Sequence, residues 1–147
     1  MERDNVIPLM FLILFKVLDL KGNNLELNFA KIPDTSRLEY LGLSGTGMKS
    51  IVGISRAKSL IAFYATNNEI RSIPEEVFSM SHLQSLFLSY NSITGTISTH
   101  FARMSSLQYL YMFGNRLTGS IPSEIGQLRN LRDLVLARNY LSGTLPD

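Results

Sequence analysis

The sequence predicts an α/β solenoid of about six repeats. Two observations carry that prediction. LQYLYMFGNRLTGSIPSEIGQLRN at 107–130 is followed at once by a second copy of the phrase, LRDLVLARNYLSGTLPD, and the same frame runs back to Phe15. A period of roughly 20–30 residues built on Leu and Asn marks units too small to bury their own apolar face, so each must stack on its neighbours.

The frame starts at Phe15, Leu38, Leu60, Leu83, Leu107 and Leu131, at spacings of 23, 22, 23, 24 and 24. From each start, apolar residues recur at offsets 3, 5 and 10, as in Leu86, Leu88 and Ile93 of the fourth unit. Two further apolar columns precede each start by six and three residues, such as Ile125 and Leu128 before Leu131. Alternation at offsets 3 and 5 is strand periodicity with one face buried.

At offset 8 stand Asn23, Thr46, Asn68, Asn91, Asn115 and Asn139. A carboxamide both donates and accepts, so stacked turns can satisfy their buried backbone groups with a ladder of Asn23, Asn68, Asn91, Asn115 and Asn139. Gly95, Gly119 and Gly143 at offset 12 supply backbone angles that other residues resist. Pro74, Pro122 and Pro146 fix φ and forbid helix continuation at those points. The second unit has neither the Asn nor the Pro, so its turn is expected to be the loosest.

These columns resemble the leucine-rich repeat family, over residues 15–147. The tags LTGSIP (Leu117–Pro122) and LSGTLP (Leu141–Pro146) resemble the plant-type, extracellular subclass, as in receptor-like kinases and receptor-like proteins. The fourth unit has Ser98 where the tag has Pro, and the third has Ile73 and Pro74 without the Gly. The resemblance implies a curved parallel sheet on a concave face, with loops and short helical turns on the convex face. Any kinase would lie outside this chain.

Under that fold one face of the sheet is open, although parallel sheets normally have both faces covered. Offsets 2, 4, 6 and 7 point to it. Five of the six tyrosines fall there, with Phe87 and Phe113. The candidate ligand-binding residues are Tyr40, Tyr64, Phe87, Tyr90, Tyr109, Tyr111, Phe113 and Asp133. Aromatics are over-represented among binding hot spots; equally, neighbouring aromatics can simply stabilise strands laterally. No charge interrupts the centre of the patch, which suits a protein or peptide better than phosphate or an acidic glycan.

Composition narrows the classes. Of 147 residues 45% are hydrophobic, ample for one repeat domain. The net charge is +2 with signs interspersed, which leaves no nucleic-acid footprint. Arg129, Arg132 and Arg138 cluster near the C-terminus and read as solvated repeat surface. Cysteine is absent, so disulfides and the paired-Cys caps usual in the extracellular subclass are excluded, and no N-x-[ST] sequon occurs.

Residues 1–14 read as a separate apolar segment, with VIPLMFLILF at 6–15 as its core. That is about half of the roughly 20 residues needed to span a bilayer. Leu9 and Leu12 keep the repeat spacing before Phe15, as a partial repeat or crude cap would. A signal or anchor and an interfacial segment stay open, although Glu2-Arg3-Asp4 adds no net positive charge and no small-x-small cleavage site follows. Membrane association is therefore possible. The chain ends at Asp147 within a repeat and without a polar cap, which points to a truncated product or an array completed elsewhere.

Catalytic patterns are not found. GLSGTGMKS at 42–50 has Met48 between Gly47 and Lys49, where a phosphate loop needs Lys directly after Gly. His82 and His100 lack Cys or carboxylate companions in sequence, so no metal site and no cofactor is expected. Glu75 and Glu76 precede Val77 in a turn and make no catalytic pair. The reading is a non-enzymatic recognition array, part of a receptor-like or cell-surface protein. The alternative is a cytoplasmic scaffold or an enzyme-inhibitor protein. Oligomeric state is open.

Overall fold

A computed structural model describes residues 14–25, 29–31 and 37–146. The apolar segment through residue 13, and with it the cap, signal and interfacial readings, lies outside the described residues.

Nine short strands are described: β1 Val17–Asp19, β2 Tyr40–Gly42, β3 Ala62–Tyr64, β4 Ser85–Phe87, β5 Thr94–Thr96, β6 Tyr109–Tyr111, β7 Arg116–Gly119, β8 Asp133–Val135 and β9 Tyr140–Leu141. One strand from each coil builds a six-stranded sheet in the order β1-β2-β3-β4-β6-β8. Every pair is parallel and in register, so the offset-3 residues Leu18, Leu41, Phe63, Leu86, Leu110 and Leu134 make one row. A near-constant repeat length produces that register, because each turn returns the chain to the same height. The Gly-tagged segments of the last three coils form a second parallel sheet, β5-β7-β9. The fold is a leucine-rich-repeat solenoid of about six coils.

The predicted columns make the core. Leu86 and Leu88 are fully buried, as are Leu110 and Met112 one coil later. Residues six and three before three of the starts join them: Ile54 and Ala57, Phe101 and Met104, Ile125 and Leu128. Full burial of one such side chain is worth about 1.5–3 kcal/mol. Phe78 and Phe101 meet edge-to-face at 5.0 Å between consecutive coils, which ties the outer layer together as well.

The helical turns on the outer side are 3-10, at Phe29–Lys31, Ile54–Arg56, Glu75–Ser79, Thr99–Arg103 and Ser123–Gln127. Pro74 and Pro122 sit at the residue just before their turns, at φ −67° and −73°. Ser98 adopts the same geometry, φ −69°, and its Oγ accepts from the His100 N–H. The serine that departs from the tag therefore keeps its backbone and adds a side-chain cap.

The turn of the second coil, expected to be the loosest, is closed by hydrogen bonds of a different kind. Thr46 is buried, and its Oγ1 donates to Leu43 O at 2.8 Å. Its N–H donates to Asn68 Oδ1 at 3.0 Å. A hydroxyl has one hydrogen to give, so Thr46 closes its own turn, while Asn68 of the next coil supplies the link between coils. At the start of the same coil's 3-10 turn, the Gly53 N–H donates to the Glu76 carboxylate of the following coil.

Candidate ligand-binding face

The Asn column works between coils. Asn91 Oδ1 accepts from the Ile70 N–H of the preceding coil at 3.0 Å. Its Nδ2 donates to Ala65 O of that coil and Leu88 O of its own, both at 2.9 Å. Asn115 and Asn139 repeat the pattern one and two coils on. Asn23 is exposed and donates to Leu20 O and Lys21 O of its own coil; the coil before it lies outside the described residues. The ladder fixes each turn relative to the next, and that fixes where the open-face side chains stand.

On that face the offset-4 rings of Tyr64, Phe87 and Tyr111 lie in register. Tyr64 and Phe87 stack at 4.5 Å and 10°, Phe87 and Tyr111 at 4.6 Å and 23°. These distances match the roughly 4.8 Å between strands, so the backbone sets the stacking. Tyr40 joins from offset 2, its ring 4.9 Å from that of Tyr64. Its own coil has Gly42 at offset 4, so no side chain there competes for the end of the stack, and a diagonal partner takes the place. Asp19 leans over the same gap: a Cβ at Gly42 would fall within 2.4 Å of Asp19 Oδ1.

Polar groups close both ends of this line of rings. Lys21 Nζ lies 3.1 Å from Asp19 Oδ2 and donates to the Tyr40 hydroxyl at 3.3 Å. These two bonds to its ammonium raise the Lys21 pKa. At the other end the Tyr111 hydroxyl donates to Asp133 Oδ2 at 2.7 Å. That bond raises the Tyr111 pKa, because ionisation would destroy the donor and set two negative charges together. The Tyr64 phenol is raised chiefly by burial.

A second aromatic group stands at the turn. Phe113 meets Tyr90 edge-to-face at 4.9 Å, and the Arg138 guanidinium lies 5.2 Å from the centre of the Phe113 ring. Tyr109, in register with Ser85 and Asp133, stands outside both groups. So seven of the eight predicted face residues belong to two clusters, and Asp133 enters as an anchor for Tyr111. The rings of the line spend their faces on one another and turn their edges outward.

Two features were not anticipated from sequence. Arg138 is exposed, as a surface residue is expected to be, but its guanidinium also lies against Phe113. Offset 7 is left-handed in every coil: Gly22, Gly45, Asn67, Tyr90, Gly114 and Arg138 have φ between 53° and 71°. Three glycines and an Asn in one column were the available signal. A third departure lies on the outer side. His100 Nδ1 is 2.6 Å from Glu75 Oε1, and Arg103 Nη1 donates to the same oxygen at 3.2 Å. Stacking brings these together from different coils, which spacing along one coil does not reveal.

A leucine rich repeat family model matches residues 62–117. Among solved structures, the ectodomain of the Arabidopsis thaliana membrane receptor kinase GASSHO1/SCHENGEN3, in complex with CASPARIAN STRIP INTEGRITY FACTOR 2, aligns over 95% of this chain at 35% identity and TM-score 0.77. The chain is a leucine-rich-repeat protein. The plant peptide hormone receptor RGFR1, in complex with RGF2, aligns over 96% of it at 28% identity and TM-score 0.74. A leucine-rich-repeat protein of Leptospira interrogans aligns over 94% at 27% identity and TM-score 0.81. The chain covers 18%, 28% and 36% of these three proteins, so it corresponds to a minor part of each. No curated protein sequence matches it. This leucine-rich-repeat chain therefore resembles plant receptor ectodomains, and no helix among its described residues is long and apolar enough to cross a membrane.

Proposed function

We propose that residues 15–147 recognise an extended protein or peptide segment on the open face of the six-stranded sheet, as part of a receptor-like protein at the cell surface. The observation that carries this reading is the continuous line Tyr40–Tyr64–Phe87–Tyr111 with polar groups at both ends. Stacked rings in register have little conformational freedom left to lose, so a ligand meets a preorganised surface. Their outward edges carry the positive end of the ring quadrupole and two hydroxyl-bearing termini, which suits backbone carbonyls and apolar side chains together. Two receptors among the similar structures were solved with a bound factor, which supports the receptor-like reading.

The test is a triple variant, Tyr64→Val, Phe87→Val and Tyr111→Val. Val135 holds the same position in the last coil, so the replacement respects the strand. Peptides selected from a random display library on the unaltered chain are then titrated by fluorescence anisotropy. A folded triple variant should lose affinity by about 30-fold or more, the scale of one removed hot spot. Unchanged affinity in a variant with a normal melting transition would rule the reading out.

A further inference from the structure

Tyr90 and Arg138 are non-glycine residues at left-handed φ, 55° and 53°. A residue with a Cβ there carries a backbone cost that glycine avoids. The same column uses Gly in three coils, and Asn, which tolerates the conformation, in a fourth. The two bulky exceptions flank Phe113 from either side. Tyr90 reaches across coil five and lies over Gly114, whose added Cβ would come within 3.1 Å of Tyr90 Cδ1. Arg138 sits over the Phe113 ring from coil six. Tyr90 remains half exposed. Backbone strain of this kind concentrates where a side chain must be presented in one place.

The charge on Arg138 is not neutralised. No carboxylate among the described residues pairs with it, and the nearest acid along the chain, Asp133, is taken by the Tyr111 hydroxyl. A contact with a ring takes up none of the guanidinium's five N–H donors in a carboxylate pair, and with Arg138 exposed they stay available for a bidentate carboxylate. Beside it, the Tyr90 edge and the Phe113 ring offer an apolar seat.

We infer that Tyr90, Phe113 and Arg138 form a clasp for an acidic side chain and an adjoining apolar side chain of an extended peptide. The inference rests on the peptide-binding reading of the open face and adds a ligand chemistry to it. Arg138 pairs with the Asp or Glu of the ligand, and the neighbouring apolar group packs on Tyr90 and Phe113. The clasp lies at the turn end of the strands, so the peptide crosses the ring line and ends a segment there.

The experiment selects peptides from a random display library on the full chain. One selected peptide, and its counterpart with Asp or Glu changed to Asn or Gln, is titrated against the chain, Arg138→Asn and Tyr90→Asn. Asn67 adopts the same φ in coil three, so both variants suit the backbone. The selected peptides should carry an acid next to an apolar residue. Amide exchange in the peptide should weaken binding to the unaltered chain about tenfold, the usual scale of one charge-assisted pair, and leave binding to Arg138→Asn unchanged. Tyr90→Asn should weaken both peptides alike. Equal loss on amide exchange in the unaltered chain and Arg138→Asn overturns the clasp. So do selected peptides without acids; if these still lose binding in the triple valine variant, the open-face reading survives and only the clasp fails. A library that yields no binder overturns both.

Discussion

Asn91 bonds backbone groups in two coils, among them the Ile70 N–H, Ala65 O and Leu88 O. All lie where water does not reach, and an unpaired buried polar group costs about 1–3 kcal/mol. Asn91→Ala should therefore destabilise the chain by about 3 kcal/mol or more in denaturant unfolding. Asn91→Thr should cost less, because Thr46 shows that a hydroxyl can close its own turn. Equal losses for the two variants would contradict the bridging role. Tyr111 offers a second residue-scale test. Its folded pKa is raised above the ordinary phenol value of 10.0, so its protonated phenol contributes stability in full below that pH. The contribution is lost as pH rises through the folded value. Phenolate absorbance should show Tyr111 titrating late, and Asp133→Asn should bring it back towards the ordinary range. A titration curve unmoved by Asp133→Asn would contradict the bond.

At the scale of elements, the repeat columns were legible because six coils state the same rule six times. Offsets 3, 5, 8 and 10 each report burial or turn chemistry that neighbouring coils share. What stayed illegible depends on departures from the rule in adjacent coils. Tyr40 reaches the ring line because Gly42 leaves a gap. Glu76 serves Gly53 one coil away, and Arg138 finds Phe113 across a strand. Gly114 is the sharpest instance. It has φ +68° and lies under the Tyr90 ring, whereas Gly22 has φ +71° and nothing within 4 Å of an added Cβ. Ala at either site meets the left-handed backbone cost of about 1 kcal/mol. Only Gly114→Ala should also push Tyr90 off Phe113, so its loss in thermal unfolding should exceed that of Gly22→Ala. Equal losses would mean that Tyr90 is free to move aside.

For the whole molecule, stacking joins stability to display. A solenoid coil contacts only its neighbours, so the same registers that bury Leu86, Leu88, Leu110 and Met112 also align the rings on the opposite side of the strands. Neighbouring aromatics can bind a ligand or brace their strands laterally. The stacked geometry accommodates both, since rings that brace one another are also rings held still for a partner. The second sheet supplies an internal control: Tyr140 on β9 is well exposed but lies away from the open face. Hydroxyl-radical footprinting of the chain, with and without a saturating selected peptide, tests the central claim directly. The account predicts protection of Tyr64, Phe87, Tyr111 and Phe113 while Tyr140 reacts as before. Protection of Tyr140, or of the outer 3-10 turns, with the four open-face rings unprotected would contradict it.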